Sequence, residues 1–231
     1  MTPCVGVVVF PGSNCELDVV EAVRHLGGDA QLVWHTEPSL DGVDAVVLPG
    51  GFAHGDYLRP GAIARFSPVM EAVRGFAAAG GPVVGICNGF QVLCEAGLLP
   101  GALQKNRDLK FVCTPTRVRV ESLDTPVTEE TEVDLGAVLT VPINHFEGSY
   151  VCSDETLREL RDDERVVLRY VDNPNGSVDD IAGICSGDRN VVGLMPHPER
   201  ATHPLLGSTD GAPLLRSLLA AASASVTVSQ P

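Results

Sequence analysis

Two short stretches of the chain hold residue types that together could cleave an amide: Gly85-Ile86-Cys87-Asn88-Gly89 and His197-Pro198-Glu199. In the first, the apolar run from Pro82 to Ile86 has the length of a strand and ends in Gly-x-Cys-x-Gly. Phe90 to Leu98 then spaces its apolar side chains like a helix. This is the pattern of a nucleophile elbow, better known as Gly-x-Ser-x-Gly, in which the reactive residue sits on a tight strand-to-helix turn and flanking glycines let two backbones approach. The nucleophile would be the sulfur of Cys87. Its thiolate is favoured there by the unpaired N–H groups and the dipole at the start of the following helix. A cysteine closing an apolar strand, taken alone, reads as packing, because free cysteine is among the most buried residue types. Catalysis needs a base, a group that orients the base, and an oxyanion site from elsewhere in the chain.

The second stretch offers the base and its orienting group. Proline biases the residue before it away from helix, so His197 is expected to be extended, and side chains two apart in an extended chain share a face. Glu199 would then hold one imidazole nitrogen while the other faces the thiolate, a Cys-His-Glu relay. A histidine between two prolines, standing alone, is more simply a turn residue. A third stretch, Pro49-Gly50-Gly51-Phe52, follows the apolar run Asp44 to Leu48, and its glycines allow backbone N–H groups to face outward at a strand's C-terminal end.

The elements that must position these residues follow from hydrophobic period. Val5 to Phe10 is a continuous β-branched run, as expected for a strand covered on both faces of a parallel sheet. It meets Pro11-Gly12-Ser13-Asn14, where Ser13 or Asn14 could cap a helix with the apolar stripe Leu17, Val20, Val23 and Leu26. Gln31 to Trp34 and Asp44 to Leu48 are two more strands, and Ala62 to Ala79 is helical with a restart at Ser67-Pro68. Alternating strands and helices predict an α/β fold with a doubly wound, mostly parallel sheet flanked by helices, whose ligands lie outside the C-terminal strand ends. After Gly101 the texture changes. Thr116 to Val120, Ala137 to Val141 and Val166 to Tyr170 read as strands, which implies an added antiparallel region. Ser153-Asp154 is expected to cap a short helix, and Ile181 to Ile184 with Asn190 to Leu194 reads as a hairpin that leads into His197. A last helix spans about Ala212 to Ala222, and residues 223–231 are expected to be a flexible tail. Residues 1–231 are read as a single domain.

Composition narrows the function classes. The chain has 231 residues, 44% of them hydrophobic, enough for one substantial core. Its net charge of −14 opposes binding to a phosphate backbone, so nucleic acid is not an expected partner. Seven cysteines, odd in number and without a close Cys-x-x-Cys pair, read as reduced thiols with no metal site among them. The apolar run near the N-terminus stops at Pro11-Gly12, too short for a signal peptide or a membrane span, so a cytoplasmic location and no membrane contact are expected. No Gly-x-x-x-x-Gly-Lys-Ser/Thr phosphate loop is present.

With Gly85 to Gly89 and His197 to Glu199 on one chain, the sequence resembles the class I, or triad, glutamine amidotransferases. The resemblance implies a flavodoxin-like fold and hydrolysis of the glutamine side-chain amide through a thioester on Cys87. His197 would be general base and acid, Glu199 its orienting group, and the backbone N–H groups of Gly51 and Asn88 the oxyanion hole, with Gln91 helping to seat glutamine. Within that family the match narrows to the glutaminase subunits of phosphoribosylformylglycinamidine synthase, an enzyme of purine biosynthesis. It is carried by Phe10 to Cys15, Pro49 to Phe52, Gly55 to Ala64, Gly97 to Gly101, Asn175 to Ser177 and Met195 to Arg200. This implies no cofactor in the chain itself. ATP and Mg²⁺ would be used by a larger synthetase partner that receives the ammonia, often with a third small subunit, and Gly55 to Ala64 would be a docking or gating loop. Ala53-His54 and His145-Phe146 depart from the pattern of that branch, and His54 and His145 are left outside the catalytic set. Competing readings are an amidotransferase for another acceptor, which the Phe10 to Cys15 and Gly55 to Ala64 stretches disfavour, and a redox or protective protein of the DJ-1 type. The latter would need neither Gln91 nor His197-Pro198-Glu199.

Overall fold

The computed structural model describes residues 2–129 and 131–228. In chain order the elements are β1 (Cys4–Val9), α1 (Glu16–His25), β2 (Asp29–Trp34), β3 (Ala45–Leu48), α2 (Val69–Ala78), β4 (Val83–Ile86), α3 (Asn88–Glu95), β5 (Ala102–Lys105), β6 (Val112–Val120), β7 (Val138–His145), β8 (Glu147–Val151), α4 (Asp154–Asp162), β9 (Val166–Tyr170), β10 (Ile181–Cys185), β11 (Val191–Leu194) and α5 (Ala212–Val228). Nine strands make one sheet in the order β2-β1-β3-β4-β11-β10-β9-β6-β7. From β2 to β11 all neighbours are parallel. From β11 to β7 all are antiparallel. The expected doubly wound sheet is therefore present, and the antiparallel region continues it edge to edge rather than standing apart.

Burial follows the sequence pattern strand by strand. β3, β4, β10 and β11, the unbroken apolar runs, are buried at every position. On β6, Thr116, Val118 and Val120 are buried while Arg117 and Arg119 face out, the alternation of a strand with one wet face. β5 and β8 pair as a separate two-stranded sheet that the sequence did not announce. Both are short, and β5 has no β-branched residue to mark it.

The floor beneath α3 is made of glycine. Gly85 on β4 lies directly opposite Gly193 on β11. A Cβ at Gly85 would come within 2.7 Å of the Gly89 backbone, and one at Gly193 within 2.0 Å of the Phe90 ring. From the helix side, a Cβ at Gly89 would lie 1.9 Å from the Leu48 carbonyl oxygen at the end of β3. The first turn of α3 thus rests directly on the sheet, which is why the Gly-x-Cys-x-Gly spacing matters mechanically.

Three local expectations differ. The cap of α1 is Cys15, with no side-chain cap bond. Ser13 Oγ instead accepts from the Phe10 N–H at 3.1 Å, tightening the loop after β1. Leu17 is 59% exposed, and the buried face of α1 is Val19, Val20, Ala22 and Val23. The last helix runs on to Val228, while residues 229–231 of the expected tail lie outside the described residues. By contrast Ser153 does cap α4, its side chain accepting from the Thr156 N–H at 3.1 Å.

Gly89→Ala should lower the unfolding free energy by about 1–3 kcal/mol, the usual cost of forcing extra volume into a packed core. Gly75→Ala, in α2 where an added Cβ meets nothing within 4 Å, should raise it by about 0.4–1 kcal/mol through the unfolded chain's lost freedom. Urea melts of the two variants should therefore move in opposite directions, and a shared direction would contradict this packing.

Candidate active site

Cys87 occupies the turn between β4 and α3 with φ 51° and ψ −105°. A non-glycine residue in that region costs on the order of 1–3 kcal/mol and persists only where its surroundings over-determine it. Here the Cys87 N–H donates to the Leu194 carbonyl at 2.7 Å, and its own carbonyl accepts the Gln91 N–H at 3.2 Å to open α3. The sulfur is 3.8 Å from the Asn144 carbonyl oxygen. The N–H of Asn88, first in the helix, has no residue four positions back within the helix to donate to.

His197 follows β11 and is fixed by its N–H donating to the Pro142 carbonyl on β7 at 2.8 Å. The expected extended segment is in fact a single 3-10 turn over Pro198–Arg200 with His197 as its cap, φ −104° and ψ 85°. The His197–Glu199 pairing nevertheless forms, with Nδ1–H donating to Oε1 at 2.6 Å. Only 1% of His197 and 2% of Glu199 is exposed. His197 Nε2 has no hydrogen-bond partner among the described residues and is the nitrogen left for chemistry. Burial opposes a charge on this ring, but the Glu199 carboxylate and then Cys87 outweigh it and raise the imidazole to about 10. The charged ring is thus the favoured form beside the sulfur.

Gly51, with φ 141°, crosses the loop after β1 so closely that a Cβ would lie 2.8 Å from Asn14 N and Ser13 Cα. This brings the ends of β1 and β3 together at the edge where Cys87 emerges. The loop is also tied to the elbow through the side chain of Asn88. Its Oδ1 accepts the Ala53 N–H at 2.9 Å, and its Nδ2 donates to Asp56 Oδ1 at 3.1 Å and Gln91 Oε1 at 2.8 Å. Gln91 in turn donates to the Glu147 carbonyl. Gln91 therefore shapes the wall through bonds within the protein.

These groups surround one cavity of about 220 Å³, lined among others by Gly51, Asp56, Cys87, Gln91, Glu147 and His197. A larger depression, about 330 Å³, is lined by Asp18, Glu199, Arg200 and His203 among others and touches neither Cys87 nor Gly51. Several cavity groups were not legible as site residues. His145, left outside the catalytic set, lines the cavity with Nδ1 held 3.0 Å from Asn106 Oδ1. Burial, then the neighbouring His197, lowers its imidazole to about 4, so it is neutral. Asp56 is raised from 3.8 to about 6, chiefly by burial and against the Asn88 hydrogen bond. His54 is not in the cavity wall and packs with Phe10 and His35. Arg59 is at the cavity rim and grips Glu95 with both Nε and Nη2, at 2.5 and 2.7 Å.

A strained cysteine on a strand-to-helix turn, a buried histidine–carboxylate pair and a glycine loop around one cavity are the kind of groups that acyl transfer needs. Residues 2–211 match the family described as the CobB/CobQ-like glutamine amidotransferase domain, and the chain belongs to that family. It is 61% identical to the phosphoribosylformylglycinamidine synthase subunit PurQ of Rubrobacter xylanophilus, over 94% of this chain and 98% of that one. It is 58% identical to the subunit of the same name from Parasynechococcus marenigrum, over 93% and 99%. A solved structure of PurLQS from Thermotoga maritima contains a chain that is 42% identical and superposes with a TM-score of 0.88, over 95% of this chain and 99% of that one.

A carboxyl raised in the folded chain holds its proton more tightly there than in the unfolded chain. The stability that Asp56 contributes is thus complete below 3.8 and lost as pH rises through about 6. Asp56→Asn should remove that slope. In urea melts between about pH 4 and about pH 6 the variant should gain on the native chain as pH rises, and a constant difference would refute the assignment.

Proposed function

We propose that this chain is the glutaminase subunit of phosphoribosylformylglycinamidine synthase, hydrolysing glutamine and passing the ammonia to a synthetase partner. The observation that carries the reading is the set of Cys87, the His197–Glu199 pair and Gly51 around one cavity, in a chain that matches PurQ subunits over more than nine-tenths of its length. The Cys87 sulfur attacks the side-chain carbonyl carbon of glutamine as a thiolate. We assign the oxyanion that forms to the N–H groups of Gly51 and Asn88, since such a site needs donors placed where charge develops in the tetrahedral intermediate. His197 gives its Nε2 proton to the departing ammonia, leaving a γ-glutamyl thioester on Cys87. The neutral ring then takes a proton from water, whose oxygen attacks the thioester and releases glutamate. Glu199 keeps the imidazole in the orientation that places Nε2 at both leaving group and water, and Gln91 supports the wall against which glutamine sits.

The ammonia acceptor, formylglycinamide ribonucleotide, is activated with ATP and Mg²⁺ on the larger partner. The Thermotoga maritima relative is solved as PurLQS, which supports a synthetase and a third small subunit as this chain's partners. Tyr57 and Leu58, 70% and 80% exposed beside the cavity mouth, suit a surface that another subunit covers. No helix among the described residues is long and apolar enough to cross a membrane, and the whole chain acts as one amidotransferase domain in the cytoplasm.

In the reconstituted synthase, Cys87→Ala should abolish glutamine-dependent product formation and leave synthesis from added ammonium largely intact. Equal loss with both nitrogen donors would make Cys87 structural. His197→Ala should follow the same split, and Glu199→Gln should be milder because the base remains. Asn88→Ala keeps its own N–H but releases the Ala53 and Asp56 bonds, so glutamine-dependent kcat should fall up to about 10²-fold, as when one oxyanion donor is lost. Unchanged kcat would mean that the loop holds Gly51 without that side chain.

A further inference from the structure

Cys15 is buried against the His197–Glu199 pair, and glutamine hydrolysis gives it no task. Its sulfur, one imidazole nitrogen of His197 and a carboxylate oxygen of Glu199 all lie within 4.8 Å of one another. Thiolate, imidazole and carboxylate are the ligand types of Zn²⁺, and with metal–ligand bonds of about 2.0–2.3 Å a small inward movement would bring the three onto one ion. Glu199 Oε2 is buried and without a hydrogen-bond partner among the described residues, so a carboxylate lone pair is available. Cys15 and His197 both line the cavity that holds Cys87, which provides a path of entry.

The charges also match. A Cys15 thiolate and the Glu199 carboxylate together balance a divalent cation. Arg200, whose Nη2 is 3.1 Å from the Cys15 sulfur, has its own charge met by Asp18, Nε to Oδ2 at 2.9 Å.

We propose that Cys15, His197 and Glu199 form an inhibitory site for a thiophilic divalent cation, Zn²⁺ being the natural occupant, with cavity water completing the coordination. Binding forms three metal–ligand bonds, releases the Cys15 thiol proton and the extra imidazolium proton to solvent, and changes no oxidation state. An imidazole with one nitrogen on the metal and a proton on the other can accept nothing from water or from Cys87, and Glu199 no longer orients it. Because protons are released, occupancy rises with pH. The inhibitory consequence rests on the function proposed above; the binding rests on the three ligand groups alone.

The test uses the full-length chain carrying Cys87→Ala, so that a Cys87–His197 pair cannot hold the ion, with Co²⁺ as spectroscopic probe and Zn²⁺ as competitor. The expected result is saturable Co²⁺ binding with a thiolate-to-cobalt charge-transfer band that Zn²⁺ displaces. Adding Cys15→Ser should erase the band and weaken Zn²⁺ binding by more than about tenfold, the least that even an outer-shell change commonly costs a metal site. Cys185→Ser, buried elsewhere, should do neither. A band that survives Cys15→Ser, or no saturable binding at all, overturns the proposal. Should the Cys15→Ser chain fail to fold, Glu199→Gln on the Cys87→Ala background gives the second reading: Zn²⁺ affinity must fall, and an unchanged affinity overturns the site. In the reconstituted synthase with Cys87 present, Cys15→Ser should raise the Zn²⁺ concentration that halves glutamine-dependent turnover, and an unchanged value would remove the inhibitory role. Metal binding is read without turnover, so its failure leaves the glutaminase reading standing. Failure of the glutamine-against-ammonium split would sink that reading without touching the metal site.

Discussion

The site depends on the parallel register of β4 and β11. Ile86 lies opposite Leu194, and one residue further on the Cys87 N–H closes on the Leu194 carbonyl at 2.7 Å. Because the two strands run the same way, their continuations leave the sheet at one edge, and the segment bearing His197 starts beside the elbow. Parallel neighbours distant in sequence can do this only through a long crossover, and here the crossover contains the whole antiparallel half of the sheet. A slip of one residue would reverse every side chain on β11 and replace Gly193 beneath Phe90 with a larger group. Register, glycine floor and the Cys87 turn are thus a single constraint.

Electrostatics gives the edge its chemistry. A histidine and a glutamate, each nearly inaccessible to solvent, are costly to bury singly but compensate one another through a 2.6 Å hydrogen bond. The same burial that opposes a lone imidazolium strengthens its attraction to Glu199 and Cys87, and the attraction prevails. His145, facing the same cavity without a carboxylate of its own, goes the opposite way and is neutral. Two histidines lining one cavity therefore carry different charges: burial keeps His145 neutral, while at His197 the Glu199 carboxylate and Cys87 overcome it. Asn88 links this edge to the Gly51 loop through its bonds to Ala53 and Asp56, so the loop that carries the proposed Gly51 donor is tied to the elbow by one side chain rather than by loop stiffness alone.

Elements whose burial is two-sided, or whose caps follow local rules, were legible in the sequence. The strands flanking the elbow, the hairpin before His197 and the Ser153 cap are of this kind, because the physics that forms them acts within a few residues. The α1 stripe differs because a period of apolar residues cannot say which of them the rest of the fold covers, and Leu17 is left 59% exposed. β5 and β8 went unseen because each is short and is stabilised by a distant partner. His145, Asp56 and Cys15 carry no spacing signal. Their place at the cavity comes from loops that converge only after the sheet has formed.

By itself, then, the sequence determined the kind of chemistry: a cysteine on a glycine-flanked turn, a histidine two residues from a glutamate, and a glycine loop, since each is a short-range pattern whose local geometry is dictated by backbone sterics. It also determined the parallel core, because only two-sided burial yields unbroken apolar strands. Tertiary structure alone decided which charges the site holds and how it is closed. The Asn88 bonds that seat the Gly51 loop, the neutral state of His145, the Pro142 bond that fixes His197 and the position of Cys15 beside the His197–Glu199 pair all depend on distances between segments far apart in the chain. No local pattern encodes those distances, because they are set by the register and packing of the whole sheet.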